Sequence, residues 1–400
     1  MALNKTQLGK FADVLLWGLE TARTKPYKAY DVILVRYDLP ALPLAEVMFR
    51  KLMKRKFNVV ARSLGSPIME KDFFEYSDKK QRTFIGKWEP GLVNELNGNI
   101  FLSAPESLTH LKDIDPKRMN ESAVARKPLR KILERREERG QFGWTLCTYP
   151  TEEPAKRAGL SFKEYKNQIV KACFLNDKDP VKRWKDIFNN SIEIKKWLNS
   201  MSVKTLHLES KSCDLKISMG ERRKFIGISG HNIPSFEIFT SPDFRGTEGV
   251  YYSNLPSYKS GNLVNGVKLE FTKGNVVKAS AKQGNNFLNQ MVKMDNGAKR
   301  IGEFSLTDKR FSKINKFMAD TLFDENFGGS YGNSHIAIGM SYSDTYSGNP
   351  ASLTPKKKRD LGFNDSALHW DLVNTEDKKV AAILKNGRSV VIYEKGMFKY

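Results

Sequence analysis

The first half of the chain alternates short apolar segments with longer amphipathic ones. Residues 31–36 (DVILVR) and 57–62 (FNVVAR) have the length and the β-branched composition of strands. Between them, LAEVMFRKLMKRK has the apolar spacing of a helix. A strand, a crossover helix and a second strand form a βαβ unit, in which the two strands are parallel. This alternation predicts an α/β N-terminal domain with a parallel-containing sheet, which NIFLSAP and GWTLCTYP are expected to extend.

Helical spacing covers much of the rest of this half. Residues 116–139 are predicted to form one long helix that stops at Gly140. A helical pattern resumes at 161 and continues to about 200.

From about residue 203 the sequence pattern changes from alternating strands and helices to short strands. Short apolar segments, KFIGISG among them, are separated by Gly, Asn, Asp and Pro, which indicates mostly antiparallel strands. Helices are predicted only at 283–294 and 309–321. We therefore predict an N-terminal α/β domain over 1–200 and an α+β catalytic domain, rich in antiparallel strands, over 201–400.

The chain of 400 residues carries a formal net charge of +22, which makes nucleic acid a candidate partner. Basic runs lie at 50–56, 130–139 and 355–359, and the second interleaves acids as a solvated helix face does. The sequence has no zinc-finger spacing and no aromatic RNA-binding strand. A lysine-rich surface without specific nucleic-acid binding is the preferred interpretation, and a basic nucleic-acid-binding protein stays open as an alternative.

The cysteines and the hydropathy bear on location. Cys147, Cys173 and Cys213 are far apart and form no CxxC pair, so neither a disulfide framework nor a zinc knuckle is predicted. No run approaches the ~18–20 apolar residues of a membrane span, and the N-terminus has the pattern of a first helix rather than of a signal peptide. We expect a cytoplasmic protein without membrane association.

Several acids occupy places where an unpaired charge is costly. Glu237 in NIPSFEIFTSP and Glu303 in KRIGEFSL each interrupt an apolar strand pattern. A carboxylate in such a place has to be paired or to bind a metal. Glu325 precedes a glycine-rich loop that leads to His335 at the start of an apolar run. For each residue taken alone, an ion pair or a buried hydrogen bond is the simpler explanation.

Taken together, these residues are better explained as metal ligands than any one of them is alone. His369 and Asp371 are two residues apart, which on a strand puts both side chains on one face. Carboxylates with a few imidazoles and no thiolate suit divalent ions, and four carboxylates balance the charge of two dications. This combination indicates a two-metal hydrolase. The candidate ligands are Glu237, Glu303, Glu325, His335, His369 and Asp371.

The ordered segments NIPSFE, IGE, DEN…HIAIGMSY and HWD resemble the motifs of the metallo-aminopeptidase family of aminopeptidase T and aminopeptidase S. The resemblance is good over about 200–372, whereas the first half of the chain is similar only in its general sequence pattern. It implies release of N-terminal residues from peptides that have a free N-terminus. It also implies two divalent ions, zinc or cobalt first with manganese or magnesium as alternatives, and a homodimer with an enclosed active site.

The resemblance also implies roles for single residues. The six candidate ligands would hold the two ions, whose hydroxide would attack the first carbonyl of the peptide. Glu303 would also handle the proton, and Tyr342 would donate a hydrogen bond to the oxyanion. Glu248, in GTEGV, is a rival of Glu237 as a ligand, and Glu237 is preferred because it lies within NIPSFE. A phosphodiesterase built on the same carboxylate–histidine site stays open as a second alternative.

Overall fold

The computed structural model describes residues 2–400. Within them the Cα positions define two compact units. The first unit comprises the residues up to Phe188 together with Ile228–Ser235. The second comprises Asn189–Gly227 together with Phe236–Tyr400. The predicted domain boundary at 200 stays a prediction, because compactness does not show which segments fold independently.

The first unit is built on a parallel sheet. Its strands are β1 (Val32–Tyr37), β2 (Asn58–Ser63), β3 (Leu96–Ser103), β4 (Gly143–Thr148) and β7 (Asn232–Ile233). They lie in the order β2-β1-β3-β4-β7, with every pairing parallel. The predicted α/β domain with a parallel-containing sheet is confirmed.

One helix precedes β1, and the other helices of this unit follow its strands. They are α1 (Lys5–Thr21), α2 (Leu42–Lys54), α3 (Pro67–Tyr76), α4 (Lys79–Arg82), α5 (Trp88–Glu95), α6 (Pro116–Ala125), α7 (Lys127–Glu138), α8 (Glu152–Arg157) and α9 (Phe162–Ala172), while α10 (Pro180–Ser200) crosses the limit between the units. The first begins with a capping box: the Asn4 side chain accepts a hydrogen bond from the Gln7 backbone amide, and the Gln7 side chain accepts one from the Asn4 backbone amide.

The predicted single helix over 116–139 is wrong, because the chain breaks at Arg126 between α6 and α7. Pro128 explains the break. Its ring lacks an N–H and would clash with the carbonyl of residue 124 in a continuous helix, whereas in the first turn of a new helix it is tolerated.

Strand β7 was not predicted. The pattern KFIGISG, residues 224–230, indicated an antiparallel strand, but this segment forms only an isolated antiparallel bridge at Ile226. Strand β7 follows it, within residues 228–235 of the first unit, and extends the parallel sheet. Gly230 is required there, because it has a φ of +86° and a Cβ would lie 2.4 Å from the carbonyl oxygen of Gly18.

The second unit contains two larger antiparallel sheets and a hairpin. One sheet has the order β13-β12-β9-β6-β5-β17-β18-β19, the other has the order β16-β15-β14-β8, and β10 pairs with β11. The strands are β5 (Val203–Ser210), β6 (Asp214–Ser218), β8 (Glu237–Thr240), β9 (Glu248–Ser253), β10 (Ser257–Lys259), β11 (Asn262–Val264), β12 (Val267–Thr272), β13 (Asn275–Ser280), β14 (Ile301–Thr307), β15 (Asn333–Gly339), β16 (His369–Asn374), β17 (Lys378–Leu384), β18 (Ser389–Glu394) and β19 (Met397–Phe398). The predicted α+β unit rich in antiparallel strands is confirmed.

The helices of the second unit are short: α11 (Asn285–Met291), α12 (Thr321–Asp324) and α13 (Pro355–Asp360). The first lies inside the helix predicted over 283–294. The helix predicted over 309–321 is wrong, because side chains fix that backbone in turns: the Asp308 carboxylate accepts the Arg310 amide at 2.9 Å, and Ser312 Oγ donates to the Asn326 carbonyl. Such side-chain to backbone bonds compete with helix formation. Among residues 2–400 no helix combines the length and the apolar character that a membrane crossing requires.

Candidate metal centre

The sheet β16-β15-β14-β8 carries most of the predicted ligands on one face. Every residue of β14 and β15 is buried, so a charged side chain on either strand lies in the interior. Ala337 on β15 stands opposite both Glu303 on β14 and Asp371 on β16. Side chains directly opposite each other share a face, so the two carboxylates flank the small methyl group of Ala337.

The alternation of side chains brings the other ligands to the same face. His335 is two residues before Ala337, and His369 is two residues before Asp371. On β8 Phe239 stands opposite Ser305, which is two residues after Glu303 on β14. Glu237 is two residues before Phe239, so its side chain lies on the same face as that of Glu303. The pairing of four strands thus gathers side chains from positions 237 to 371.

The cluster centres on one imidazole between two carboxylates. His335 Nε2 lies 3.2 Å from Glu237 Oε2 and 3.2 Å from Glu303 Oε1. All three residues are buried, and each offers a ligand atom within 4.8 Å of the other two, a spacing that a single cation can bridge.

A second pair adjoins this group. His369 Nε2 lies 3.3 Å from Asp371 Oδ1 and 3.8 Å from Glu303 Oε2. The other ring nitrogen, Nδ1, lies 3.0 Å from the Met340 carbonyl oxygen and donates to it. This bond orients the ring and directs Nε2 towards the acids, as in metal-binding histidines. Glu303 therefore lies between the two histidines, with one oxygen near each.

Glu325 joins the cluster from outside the sheet. It follows α12 and is buried. Burial raises its pKa well above the usual value, and repulsion from the Glu237 and Asp371 carboxylates adds to the effect. Its neighbour Asp324 has a different function, because its carboxylate accepts the amides of Met318 at 2.8 Å and Asp320 at 3.0 Å.

The glycine-rich loop returns the chain from Glu325 to His335. Gly332 has a φ of +56°, and a Cβ there would lie 2.3 Å from the Thr307 carbonyl oxygen. Only glycine fits such a close approach in the left-handed region.

The pKa values of the central groups reflect their crowding. Burial raises the pKa of Glu303 to about 7, helped by the Glu237 carboxylate and opposed by the hydrogen bond to His335. Burial alone would lower the pKa of His335, but its hydrogen bonds to Glu237 and Glu303 raise it well above the usual value. Burial would raise the pKa of Asp371, yet the interaction with His369 outweighs it and lowers that pKa.

The donor set fits divalent cations. The cluster contains four carboxylates and two imidazoles, so with all four acids ionised its formal charge is negative even when both rings are protonated. Hard oxygen ligands with imidazole nitrogens are those that divalent ions of this class prefer, and a bound dication would relieve the repulsion.

Two further residues border the cluster. The Tyr342 ring lies 4.9 Å from the His369 ring, measured between centroids. Burial, with added repulsion from Glu303, raises the pKa of its phenol well above the usual value. The second is Lys259, whose Nζ donates to the His369 carbonyl at 2.8 Å. The sequence did not predict this residue, because its surrounding pattern, SYKSGN, indicates only a turn.

The rival ligand lies elsewhere. Glu248 is exposed at the start of β9, and its carboxylate accepts the Lys273 amide at 2.6 Å. The structure therefore brings Glu237, not Glu248, beside His335 and Glu303.

Comparison with known proteins identifies the family of the chain. Residues 4–398 match the family described as thermophilic metalloprotease (M29). Aminopeptidase PepS of Streptococcus thermophilus is 28% identical over 302 residues, which cover 71% of this chain and 72% of that protein. Aminopeptidase T of Thermus aquaticus is 29% identical over 271 residues, which cover 64% of this chain and 62% of that protein.

A solved structure shares the fold. The wild-type AmpT structure from Thermus thermophilus superposes with a TM-score of 0.78 at 21% identity, over 99% of this chain and 100% of that one. The mixed α/β fold is thereby confirmed. The family match confirms the resemblance seen in the sequence and the prediction of a metal-dependent hydrolase of peptide bonds. Because the family match extends over nearly all of its length, the chain belongs to the thermophilic metalloprotease (M29) family of metallo-aminopeptidases.

Proposed function

We propose that the chain removes N-terminal residues from peptides one at a time and that two divalent ions, zinc or cobalt, occupy the cluster on the sheet β16-β15-β14-β8. The observation that carries this proposal is the convergence of buried acids and imidazoles on one face of that sheet. The residues proposed to hold the ions are Glu237, Glu303, Glu325, His335, His369 and Asp371. When bound, divalent ions supply Lewis acidity to the scissile carbonyl and to the attacking water.

Glu303 is the proposed proton carrier. Its two oxygens lie 3.2 Å from His335 Nε2 and 3.8 Å from His369 Nε2, at the centre of the cluster, where a carboxylate can accept a proton from the attacking water and return it to the leaving amine. Tyr342 is proposed to stabilise the oxyanion. Because its pKa is raised, the phenol stays protonated and can donate a hydrogen bond to the developing charge.

The acidic side chains also suit the substrate terminus. A free α-amine, with a pKa of about 8, can be held by a carboxylate or presented unprotonated near neutral pH. An acetylated terminus lacks both properties. Exopeptidase specificity therefore follows from the same acids that are proposed to hold the ions.

The alternatives have less support. A phosphodiesterase would use the same cluster, but the matching family consists of proteases. A nucleic-acid-binding surface would use the basic runs, yet within 50–56 Lys51 pairs with Asp13 at 2.7 Å and Arg55 pairs with Glu20. Part of that run thus joins α2 to α1.

Assembly as a homodimer is also proposed. Ile68, Met69, Tyr76, Phe84 and Trp88 are each more than 60% exposed. The segment 64–90 that carries them has equal numbers of acidic and basic residues, whereas the chain has a net charge of +22. A neutral apolar patch is where two copies of a strongly basic chain can associate with least repulsion. Sedimentation of the wild type and of Ile68→Asp tests this assignment.

A cytoplasmic location is proposed from the thiols. Cys147, Cys173 and Cys213 are free and buried. Free buried cysteines are typical of a reducing compartment.

The activity is tested with a matched pair of peptides, one with a free N-terminus and one N-acetylated. Mass spectrometry should show stepwise loss of N-terminal residues from the free peptide and cleavage at least ~10²-fold slower of the acetylated one, the scale for losing one strong electrostatic contact. A chelator should abolish cleavage, and zinc or cobalt should restore it. Internal cleavage of the acetylated peptide at a comparable rate would refute the aminopeptidase assignment.

A further inference from the structure

Strand β16, which carries His369 and Asp371, lies at the edge of its sheet. Side chains from residues 251–259 form hydrogen bonds with it along its length. Tyr251 Oη donates to the Leu372 carbonyl at 2.8 Å, and Ser253 Oγ donates to the Val373 carbonyl at 2.9 Å. The C-terminal part of β16 is thus held by hydroxyl groups of side chains from β9.

The N-terminal part of β16 is held by the hairpin β10-β11. Trp370 Nε1 donates to Ser257 Oγ at 3.0 Å, and Lys259 Nζ donates to the His369 carbonyl at 2.8 Å. Lys259 is the last residue of β10, before a tight turn in which Ser260 has a φ of +48° and Gly261 a φ of +78°. The turn fixes the backbone from which the ammonium group reaches β16.

The hydrogen bond from Lys259 is made to a residue that is itself a proposed metal ligand. The His369 carbonyl belongs to the same residue as the imidazole that lies between Glu303 and Asp371. A hydrogen bond from an ammonium group is stronger than one between neutral groups. It also places a positive charge near Asp371, whose pKa is lowered in part by that charge.

We propose that Lys259 is a positioning residue for the metal centre: its ammonium holds the His369 carbonyl and thereby sets the imidazole of His369 and the carboxylate of Asp371. This inference rests on the proposed function, because it assigns these two side chains to metal binding. Lys259 itself does not touch the substrate or the ions in this role.

Replacement of Lys259 has two opposing effects on cation binding. Removing the ammonium removes a positive charge near Asp371, which by Coulomb repulsion alone would strengthen the binding of a cation. Loss of the anchor acts in the opposite direction, because a ligand that is not held in place binds more weakly. If Lys259 positions the ligands, the second effect dominates.

The experiment compares Lys259→Met, which keeps the apolar stem, with Lys259→Arg, which keeps the charge and the donors. Lys10→Met is the matched control, because Lys10 Nζ also donates to a backbone carbonyl, that of Asp177, in the first unit. Amide hydrogen exchange over β16 is measured on the metal-free chains. The dissociation constant of Mn²⁺ is measured by calorimetry on the same preparations.

For Lys259→Met we expect exchange in β16 to be ~10-fold faster, the scale for losing a hydrogen bond from a charged donor. We expect Mn²⁺ to bind ~10-fold more weakly, as for loss of other groups that orient ligands. Lys259→Arg should restore most of both quantities, and Lys10→Met should match the wild type.

Unchanged exchange in β16, or Mn²⁺ binding as tight as or tighter than in the wild type, would overturn the proposal. So would equal losses in the Met and Arg variants, which would show that the positive charge and the N–H donors do not decide the effect. The proposed function fails separately, if the wild type binds no divalent ion. Exchange in the metal-free chains would then still decide whether Lys259 holds β16.

Discussion

Replacing Glu303 with glutamine should stabilise the metal-free chain at alkaline pH while it removes the activity. Glutamine has the shape of the neutral acid and keeps one oxygen near His335. It cannot carry the negative charge that Glu237 and the surrounding apolar strands disfavour. The residue proposed to move the proton is therefore one that the fold accommodates at a cost.

The size of this effect follows from the pKa. The folded-state pKa of Glu303 is about 7, against an ordinary value of 4.5. In the unfolded chain the carboxyl ionises first, so between these two values the native state binds more protons and the wild type loses stability as the pH rises. One pKa unit corresponds to ~1.4 kcal/mol, so the loss from this group is on the order of 3 kcal/mol and is complete above about pH 7.

The assay is urea unfolding of chelator-treated wild type and Glu303→Gln at pH 4.5, 6 and 8.5. The two should have similar free energies of unfolding at the lowest pH, and the variant should become progressively more stable as the pH rises. Glu248→Gln is the control, because it removes the same charge from an exposed position outside the cluster. A wild type at least as stable as Glu303→Gln at pH 8.5 would show that the reasoning is wrong. The variant should also lose at least ~10² in kcat, as expected for loss of a general base.

Three further predictions concern the same site. Mn²⁺ should bind more tightly as the pH rises from 6 to 8, because Glu303, with a pKa of about 7, and His335, with a raised pKa, must both lose protons to bind it. Calorimetry in two buffers should detect the released protons. A Mn²⁺ affinity that does not change with pH would contradict this prediction. His369→Ala should lower kcat by at least ~10² without lowering the urea midpoint, and near-normal kinetics in the folded variant would remove His369 from the site. Gly302→Ala should destabilise the chain by about 1–3 kcal/mol, because its Cβ would lie 2.2 Å from the Met340 carbonyl oxygen; an unchanged urea midpoint would show that the strand pair adjusts.

Local sequence patterns determined the architecture of the first unit. The alternation of apolar strands and amphipathic helices specified parallel pairing, since two parallel strands need a crossover between them. The same patterns failed where side chains act on the backbone. Pro128 divides the predicted helix over 116–139, and Asp308 and Ser312 keep the following residues out of a helix.

The sequence also identified the chemical groups of the site. Glu237 and Glu303 stand out because each interrupts an apolar strand, and the spacing of His369 and Asp371 already implied a shared face. These features depend only on neighbouring residues, which is why they are visible without a structure.

Which of these side chains meet depends on the tertiary structure. Ala337 stands between Glu303 and Asp371 because of the register of three strands, and a shift of one residue would turn a whole strand to the other face. Lys259 reaches the His369 carbonyl across 110 residues of sequence, from a hairpin whose pattern indicates only a turn. The types of ligand are thus a local property of the chain, whereas their geometry depends on strand pairing between distant segments, which no local pattern specifies.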